Sequence, residues 1–245
     1  MMFPAQEFTL DVIAECGSTN ELLLSRRDHD GFAGTALLAL SQTAGQGRRG
    51  REWNSPEGNL ALSVAFRESE SSRAPLYSFL IGLAAYRVLV DLLPRGLDLR
   101  LKWPNDIYLD GRKLAGILAQ ARQQGLATDL VVGIGLNLAR APQGMEPEAV
   151  AVSEFVSPPG PEIFAKSFLG ELVHLTREIQ NFEDLRRLWE RAAHLSGTEL
   201  TIQGEEGGWK AIVLLPSGEL EVADENGARR KLSSEAVSVR FVKKF

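Results

Sequence analysis

A few short stretches of this chain combine residue types that could do chemistry. The first is Gly45-Gln46-Gly47-Arg48-Arg49-Gly50, continuing through Arg51 and Glu52 to Trp53. It satisfies the G-x-G-x-x-G pattern, but a dinucleotide fold needs a helix to start at the third glycine, and Asn54-Ser55-Pro56-Glu57-Gly58 cannot continue one. It also fails as a P-loop, because Arg51-Glu52 stands where Lys-Ser/Thr is required. What remains is a basic loop whose backbone amides can cradle an anion. An arbitrary basic loop is more often a solvated surface feature. Trp53 shifts the balance, because a large aromatic in a loop usually has something to cover. Four glycines, one proline and three clustered arginines over residues 45–58 predict that the empty loop is mobile and orders around a bound anion.

The second stretch, Asn105–Ala121, reads as a hairpin. Asp110-Gly111 between two apolar runs calls for a two-residue type I′ turn. That register sets Leu109 opposite Arg112, Tyr108 opposite Lys113 and Asp106 opposite Ala115, with Asp106, Tyr108 and Lys113 on one face. An exposed Asp–Lys pair is worth about 0–1 kcal/mol and would be unremarked. Ile107, Leu109, Leu114 and Ile117-Leu118 instead suit an interior strand, and a lysine there binds an anion or steadies negative charge in a transition state. In the third stretch, Gly133 and Gly135 interrupt a core strand, which serves either tight packing on the sheet or close approach of a ligand. Asn137 just beyond could reach a polar ligand or merely end the strand. Ser18-Thr19-Asn20 offers amides and hydroxyls at a helix start, where a plain N-cap is the commoner use.

These residues need elements to position them. Residues 7–16 alternate loosely and predict a strand. Ser18 with Glu21 predicts a capping box opening a short helix. Strands are predicted at 34–43, 60–66, 99–104 and 130–138, and a buried helix over 75–93, apolar on nearly every face. Residues 139–161 hold five prolines and read as loop. Helices are predicted over 162–181 and 182–194. At Ser196-Gly197 the pattern changes to short alternating strands between Gly-rich turns, which predicts a small closed barrel. The chain thus reads as a catalytic domain, 1–195, and a C-terminal domain, 196–245.

Composition bounds the function. The 245 residues suit one large domain or one plus a small module. A single cysteine, Cys16, excludes an internal disulfide framework and fits a reducing, cytoplasmic location. With no histidine near it in sequence, Cys16 reads as a small apolar residue rather than a nucleophile. His29, His174 and His194 lie too far apart for a zinc site, while carboxylate-held magnesium stays open. A net charge of −5 argues against a general nucleic-acid surface. No apolar run approaches the roughly 20 residues of a membrane span.

Taken together, Ser18-Thr19-Asn20, the run Gln42–Trp53, the run Lys102–Gly116 and Gly133-Ile134-Gly135-Leu136-Asn137 resemble the biotin–protein ligase family, in that family's order. Any one of these motifs is weak, and all four in order are very specific. The resemblance is close from Glu15 to about Leu138 and loose beyond. It implies an α/β (α+β) fold with a mixed sheet flanked by helices, related to class II aminoacyl-tRNA synthetases, and an SH3-like C-terminal domain. It implies that biotin and MgATP give biotinyl-5′-AMP, which a lysine of a biotin carboxyl carrier protein or domain then attacks. By resemblance Lys113 and Arg48 are catalytic. Ser18, Thr19, Asn20, Gln42, Gln46, Gly47, Arg48, Lys113, Gly116, Gly133 and Gly135 surround biotin. Arg51, Trp53, Lys102, Asn105, Asp106 and Asn137 line the nucleotide side, and Asp106 helps hold Mg2+.

The chain departs from the family at Gln46, where many relatives carry arginine, and over 139–161, onto which nothing is carried. It starts at the catalytic part, so the implied type is monofunctional, lacking the N-terminal DNA-binding domain, with no nucleic-acid or membrane partner. Monomer and homodimer both stay open. The alternatives are a lipoate–protein ligase-like enzyme and a non-enzymatic biotin sensor.

Overall fold

The computed structural model describes residues 2–4, 6–125, 127–203, 205, 207–234 and 239–241. A seven-stranded mixed sheet has the order β1-β2-β3-β7-β6-β5-β4. Its strands are β1 (Thr9–Cys16), β2 (Thr35–Gln42), β3 (Leu60–Glu68), β4 (Leu99–Lys102), β5 (Asp106–Leu109), β6 (Arg112–Gln124) and β7 (Ala127–Leu136). Only β1 and β2 pair in parallel. A parallel pair needs a crossover, and helix α1 (Thr19–Ser25) lies within it.

Helix α2 (Leu76–Leu92) buries Leu76, Tyr77, Phe79, Leu80, Ile81, Leu83, Ala84, Ala85 and Leu89. A helix apolar all round must be covered all round. The sheet covers one side, and α3 (Pro161–Glu178) and α4 (Phe182–Ala193) cover the other. Each fully buried Leu or Phe contributes about 1.5–3 kcal/mol, so this layer fixes the sheet on which the site is built. The single helix expected to run to residue 181 stops at Glu178, because Asn181 caps the next one by accepting from the Asp184 amide at 3.1 Å.

The β5–β6 turn is the two-residue type expected: Asp110 and Gly111 both have positive φ, +48° and +74°. Tyr108 faces Lys113 as predicted, but Asp106 faces Gly116, not Ala115. A bulge supplies the extra residue: the register shifts between Ile107 and Tyr108.

The last strands are β8 (Glu199–Ile202), β9 (Trp209–Leu214), β10 (Leu220–Ala223), β11 (Arg229–Leu232) and β12 (Val239–Phe241). They form an antiparallel sheet ordered β11-β10-β9-β8-β12. A closed barrel was the expectation. Among the described residues no pairing joins the edge strands β11 and β12. Leu200, Leu214, Leu220 and Val222 belong to the same buried cluster as α2 and Trp189, so this sheet shares the main core.

Candidate active site

Every residue that the sequence nominated lines one cleft of about 230 Å³. The glycine-bearing middle of β6 and β7 forms its floor, the start of α1 its closed end. The 45–53 loop, the Lys102–Asn105 turn and part of the 139–149 segment form its walls.

At the closed end the expected capping box is absent. Ser18 occupies the N-cap position but makes no side-chain cap. Gln42 on β2 replaces it: its Oε1 accepts from the Thr19 amide at 2.8 Å and the Thr19 hydroxyl at 3.0 Å. Glu21 turns outward and accepts from Gln46 Nε2 at 2.6 Å, so Gln46 borders the cleft while its amide engages α1. Ser63, a fully buried hydroxyl on β3, stands 2.7 Å from Thr19 Oγ1 and 2.6 Å from Asn20 Oδ1. Its single proton can go to one of these acceptors at a time. Asn20 Nδ2 donates to Leu118 O at 3.0 Å, and Gln42 Nε2 to Ser55 Oγ at 3.2 Å. Ser63 was missed by the sequence reading. Its one signal was a lone polar residue inside the apolar run 60–66.

The glycines make room for side chains. A Cβ on Gly133 would lie 2.2 Å from Asn20 Oδ1, and one on Gly135 would lie 2.0 Å from Trp53 Nε1. On Gly116 it would lie 3.0 Å from the same indole. Of the two readings open for Gly133 and Gly135, the structure shows tight packing on the sheet: Asn20 of α1 and Trp53 fill the space a Cβ would take. Trp53 thus lies on the floor of the cleft rather than standing clear of it.

The arginine loop makes backbone contacts of its own. Gly47 N donates to Arg51 O at 2.7 Å and Trp53 N to Gly45 O at 2.9 Å, while Gln46 bridges Glu52. Arg49 and Gly50 take positive φ at the tip. No α-helix follows, in line with the rejection of a dinucleotide fold.

Charge gathers at the open end. Lys113 Nζ lies 2.7 Å from Asp106 Oδ1, with side chains 26% and 14% exposed, so the pair is half-buried rather than a surface bridge. Asp106 Oδ1 accepts no hydrogen bond beyond that contact. Lys113 Nζ also stands 5.5 Å from the Trp53 ring centroid. Arg48 Nη1 donates to Asn105 Oδ1 at 3.0 Å, and Asn105 Nδ2 donates to Ile117 O at 2.6 Å. Lys102 Nζ lies 5.0 Å from the Tyr108 ring.

Asn137 is 1% exposed. Its Nδ2 donates to Val150 O at 3.1 Å, and its Oδ1 borders the cleft without a hydrogen-bond partner. A buried acceptor of this kind costs about 1–3 kcal/mol unless something completes it.

The proline-rich segment contributes Pro142, Met145, Glu146, Pro147 and Ala149 to the cleft, none of them foreseen. It attaches where the bulge frees backbone groups. Lys113 N donates to Glu148 O at 2.8 Å, and Val150 N to Lys113 O at 3.0 Å. Sequence gave no signal for this, because irregular backbone carries no period.

Cys16 is not activated: burial, then Glu15, pushes its thiol above the ordinary value. Among the described residues no three His, Cys, Asp or Glu side chains group as metal ligands, and no helix is long and apolar enough to cross a membrane.

The site joins a buried polar pocket to a cationic mouth. Such an arrangement can hold an acid by its far end and bring its carboxylate up to a phosphate, with Arg48 and Lys113 offsetting the repulsion.

The comparisons fit that chemistry. Residues 15–137 match the family model described as the biotin/lipoate A/B protein ligase family. The chain is 40% identical over 151 residues to the biotin–[acetyl-CoA-carboxylase] ligase of Paracoccus denitrificans, covering 60% of each. It is 44% identical over 132 residues to the bifunctional ligase/repressor BirA of Escherichia coli, covering 52% of this chain and 40% of that one. These matches therefore span less than two thirds of either relative. A biotin protein ligase from Aquifex aeolicus, solved with biotin and ATP, superposes with a TM-score of 0.78 at 26% identity, covering 96% of this chain and 99% of that one. The matched stretch contains all the nominated cleft residues, and on that ground the chain belongs to the biotin/lipoate A/B protein ligase family.

Proposed function

We propose that this chain is an ATP-dependent biotin–protein ligase. The observation that carries the reading is the convergence in one cleft of the Lys113–Asp106 pair, Arg48 on Asn105, and the buried Thr19–Asn20–Gln42 network. That network presents donors and acceptors suited to a ring bearing both N–H and C=O, as biotin's ureido ring does.

In the first step a biotin carboxylate oxygen attacks the α-phosphorus of ATP, and the bond to the β-phosphate breaks, giving biotinyl-5′-AMP and pyrophosphate. Lys113 and Arg48 supply fixed positive charge where the two anions meet, the kind of preorganised donor worth ~10²–10³ in rate. Trp53, on the floor of the cleft, offers an apolar face that keeps water from that side of the mixed anhydride. Asn137 Oδ1 and Lys102 serve the nucleotide side. In the second step the neutral amine of a lysine on a biotin carboxyl carrier protein attacks the acyl carbon, releasing AMP and one proton.

Asp106 fits a role with magnesium, because Mg2+ takes one or two carboxylates and completes its shell with phosphate oxygens and water. The ion would offset charge on the leaving pyrophosphate. Residues 1–195 hold every nominated site residue, and 196–245 act from outside the cleft. An ATP-driven reaction of this kind belongs in the cytoplasm.

The test is a mass spectrum of the purified protein after incubation with MgATP and either biotin or lipoate. Retained biotinyl-5′-AMP is expected. A lipoyl adenylate alone would reassign the acid, and no adenylate with either would remove the ligase reading.

A further inference from the structure

The Lys102–Asn105 turn carries Lys102 and Asn105 into the cleft, and between them stands Trp103, with no exposed surface. Its indole Nε1 donates to Gly218 O at 3.0 Å, across 115 positions of sequence. Gly218 sits at the tip of the β9–β10 hairpin of the C-terminal sheet.

That tip is held from several sides. Gly218 N donates to Leu215 O at 2.8 Å, and Leu215 N to Glu219 O at 2.9 Å. At φ +82° Gly218 adopts a conformation that side chains resist, and a Cβ there would lie 3.0 Å from Pro75 Cβ and 3.5 Å from the Phe79 ring. At the base of the hairpin Leu214 N donates to Glu190 Oε1 at 2.8 Å. A second cavity, of about 430 Å³, is lined by Gly218 and Ser234 together with Arg48, Pro104 and Asn105. Arg48, Pro104 and Asn105 also line the first cleft, so the C-terminal sheet reaches the back of the wall whose front faces the proposed nucleotide.

We propose that the Gly218 turn is a positioning element for the nucleotide half of the reaction, acting through Trp103. The hydrogen bond fixes the Lys102–Asn105 turn. That turn presents Lys102 and, through Asn105 Oδ1, sets the guanidinium of Arg48. The closed end of the cleft rests on Gln42, Ser63 and Leu118, and it meets this chain of residues through β6, where Asn105 bonds Ile117 next to Leu118. Loosening the turn therefore weakens ATP binding more than biotin binding. The inference rests on the ligase reading.

The test substitutes Trp103→Phe, which keeps an aromatic ring and deletes the N–H. Two readouts are taken on the full chain. In the unliganded protein, hydrogen exchange is expected to rise about tenfold at the amides of residues 102–106 and 47–53, with β1, β2 and α3 unchanged, since a buried hydrogen bond of this kind is worth about that factor. In adenylate synthesis, KM for ATP is expected to rise about tenfold while Kd for biotin rises severalfold less. Gly218→Ala should give the same pattern from the other partner, by forcing the strained turn against Pro75.

Unchanged exchange in both segments, or equal losses of ATP and biotin affinity, would overturn the proposal. The exchange readout needs no activity. A chain that makes no adenylate would thus sink the ligase reading while exchange still decided the coupling.

Discussion

The two ends of the cleft are built on different principles. At the closed end Thr19, Asn20, Gln42 and Ser63 sit on or beside strands, and their polar groups are largely satisfied by one another. At the open end Arg48, Lys102, Asn105, Lys113 and Asn137 sit on turns, a loop and strand ends, with three cations gathered together and an unmet acceptor on Asn137. The first end is a preformed mould whose cost is met by sheet packing. The second gathers charges where an anion would sit, with its ion pair half-buried among them. Substitutions at the closed end should therefore show in biotin affinity, and those at the open end in rate.

The largest expected effect is on rate. Lys113→Ala should lower adenylate formation by ~10²–10³ with the fold intact, as for loss of a preorganised donor. Pyrophosphate release near the wild-type rate in a folded variant would remove Lys113 from the chemistry. At the other end, Gly133→Ala forces a Cβ to 2.2 Å from Asn20 Oδ1, and Asn20 must move. Overpacking costs about 1–3 kcal/mol, so biotin Kd should rise roughly 5–150-fold in titration calorimetry while KM for ATP shifts little. Equal losses for both ligands would erase the distinction between the two ends.

Ser63→Ala tests the mould more gently. Removing a hydroxyl that bonds neutral partners costs about 1 kcal/mol, a roughly fivefold rise in biotin Kd. The smallest effect concerns the loop. The loop makes contacts of its own, and trypsin cleavage after Arg48, Arg49 or Arg51 should slow severalfold with biotin and MgATP together. Rates that ignore ligands would mean the loop's own contacts suffice. Protection by orders of magnitude would restore the mobile loop that composition predicts.

Much of the site was legible because its residues lie in short contiguous motifs. The type I′ turn was readable from Asp110-Gly111, and it aligned Tyr108 with Lys113. The glycines of β7 signalled tight packing or a close ligand, although sequence could not say that Asn20 and Trp53 would fill the space. The bulge was invisible, because its residues are as apolar as regular strand residues. The missing capping box has a similar cause: Glu21 turns outward to Gln46, and Gln42, distant in sequence, takes the Thr19 amide. Residues 139–149 could not be placed, since their position depends on where Lys113 leaves its amide and carbonyl unpaired.

The sequence by itself determined what is local. Hydrophobic periods set the helices and strands, turn residues set the hairpins, and the order of motifs fixed the chemistry on offer. Tertiary structure alone decided which buried partners those groups found. Ser63 meets Thr19, Asn137 Oδ1 goes unmet, and the Trp103 indole bonds a carbonyl 115 residues away. The physical reason is that a hydrogen bond across a core depends on two surfaces packed to within a fraction of an ångström. No pattern along one segment carries that information.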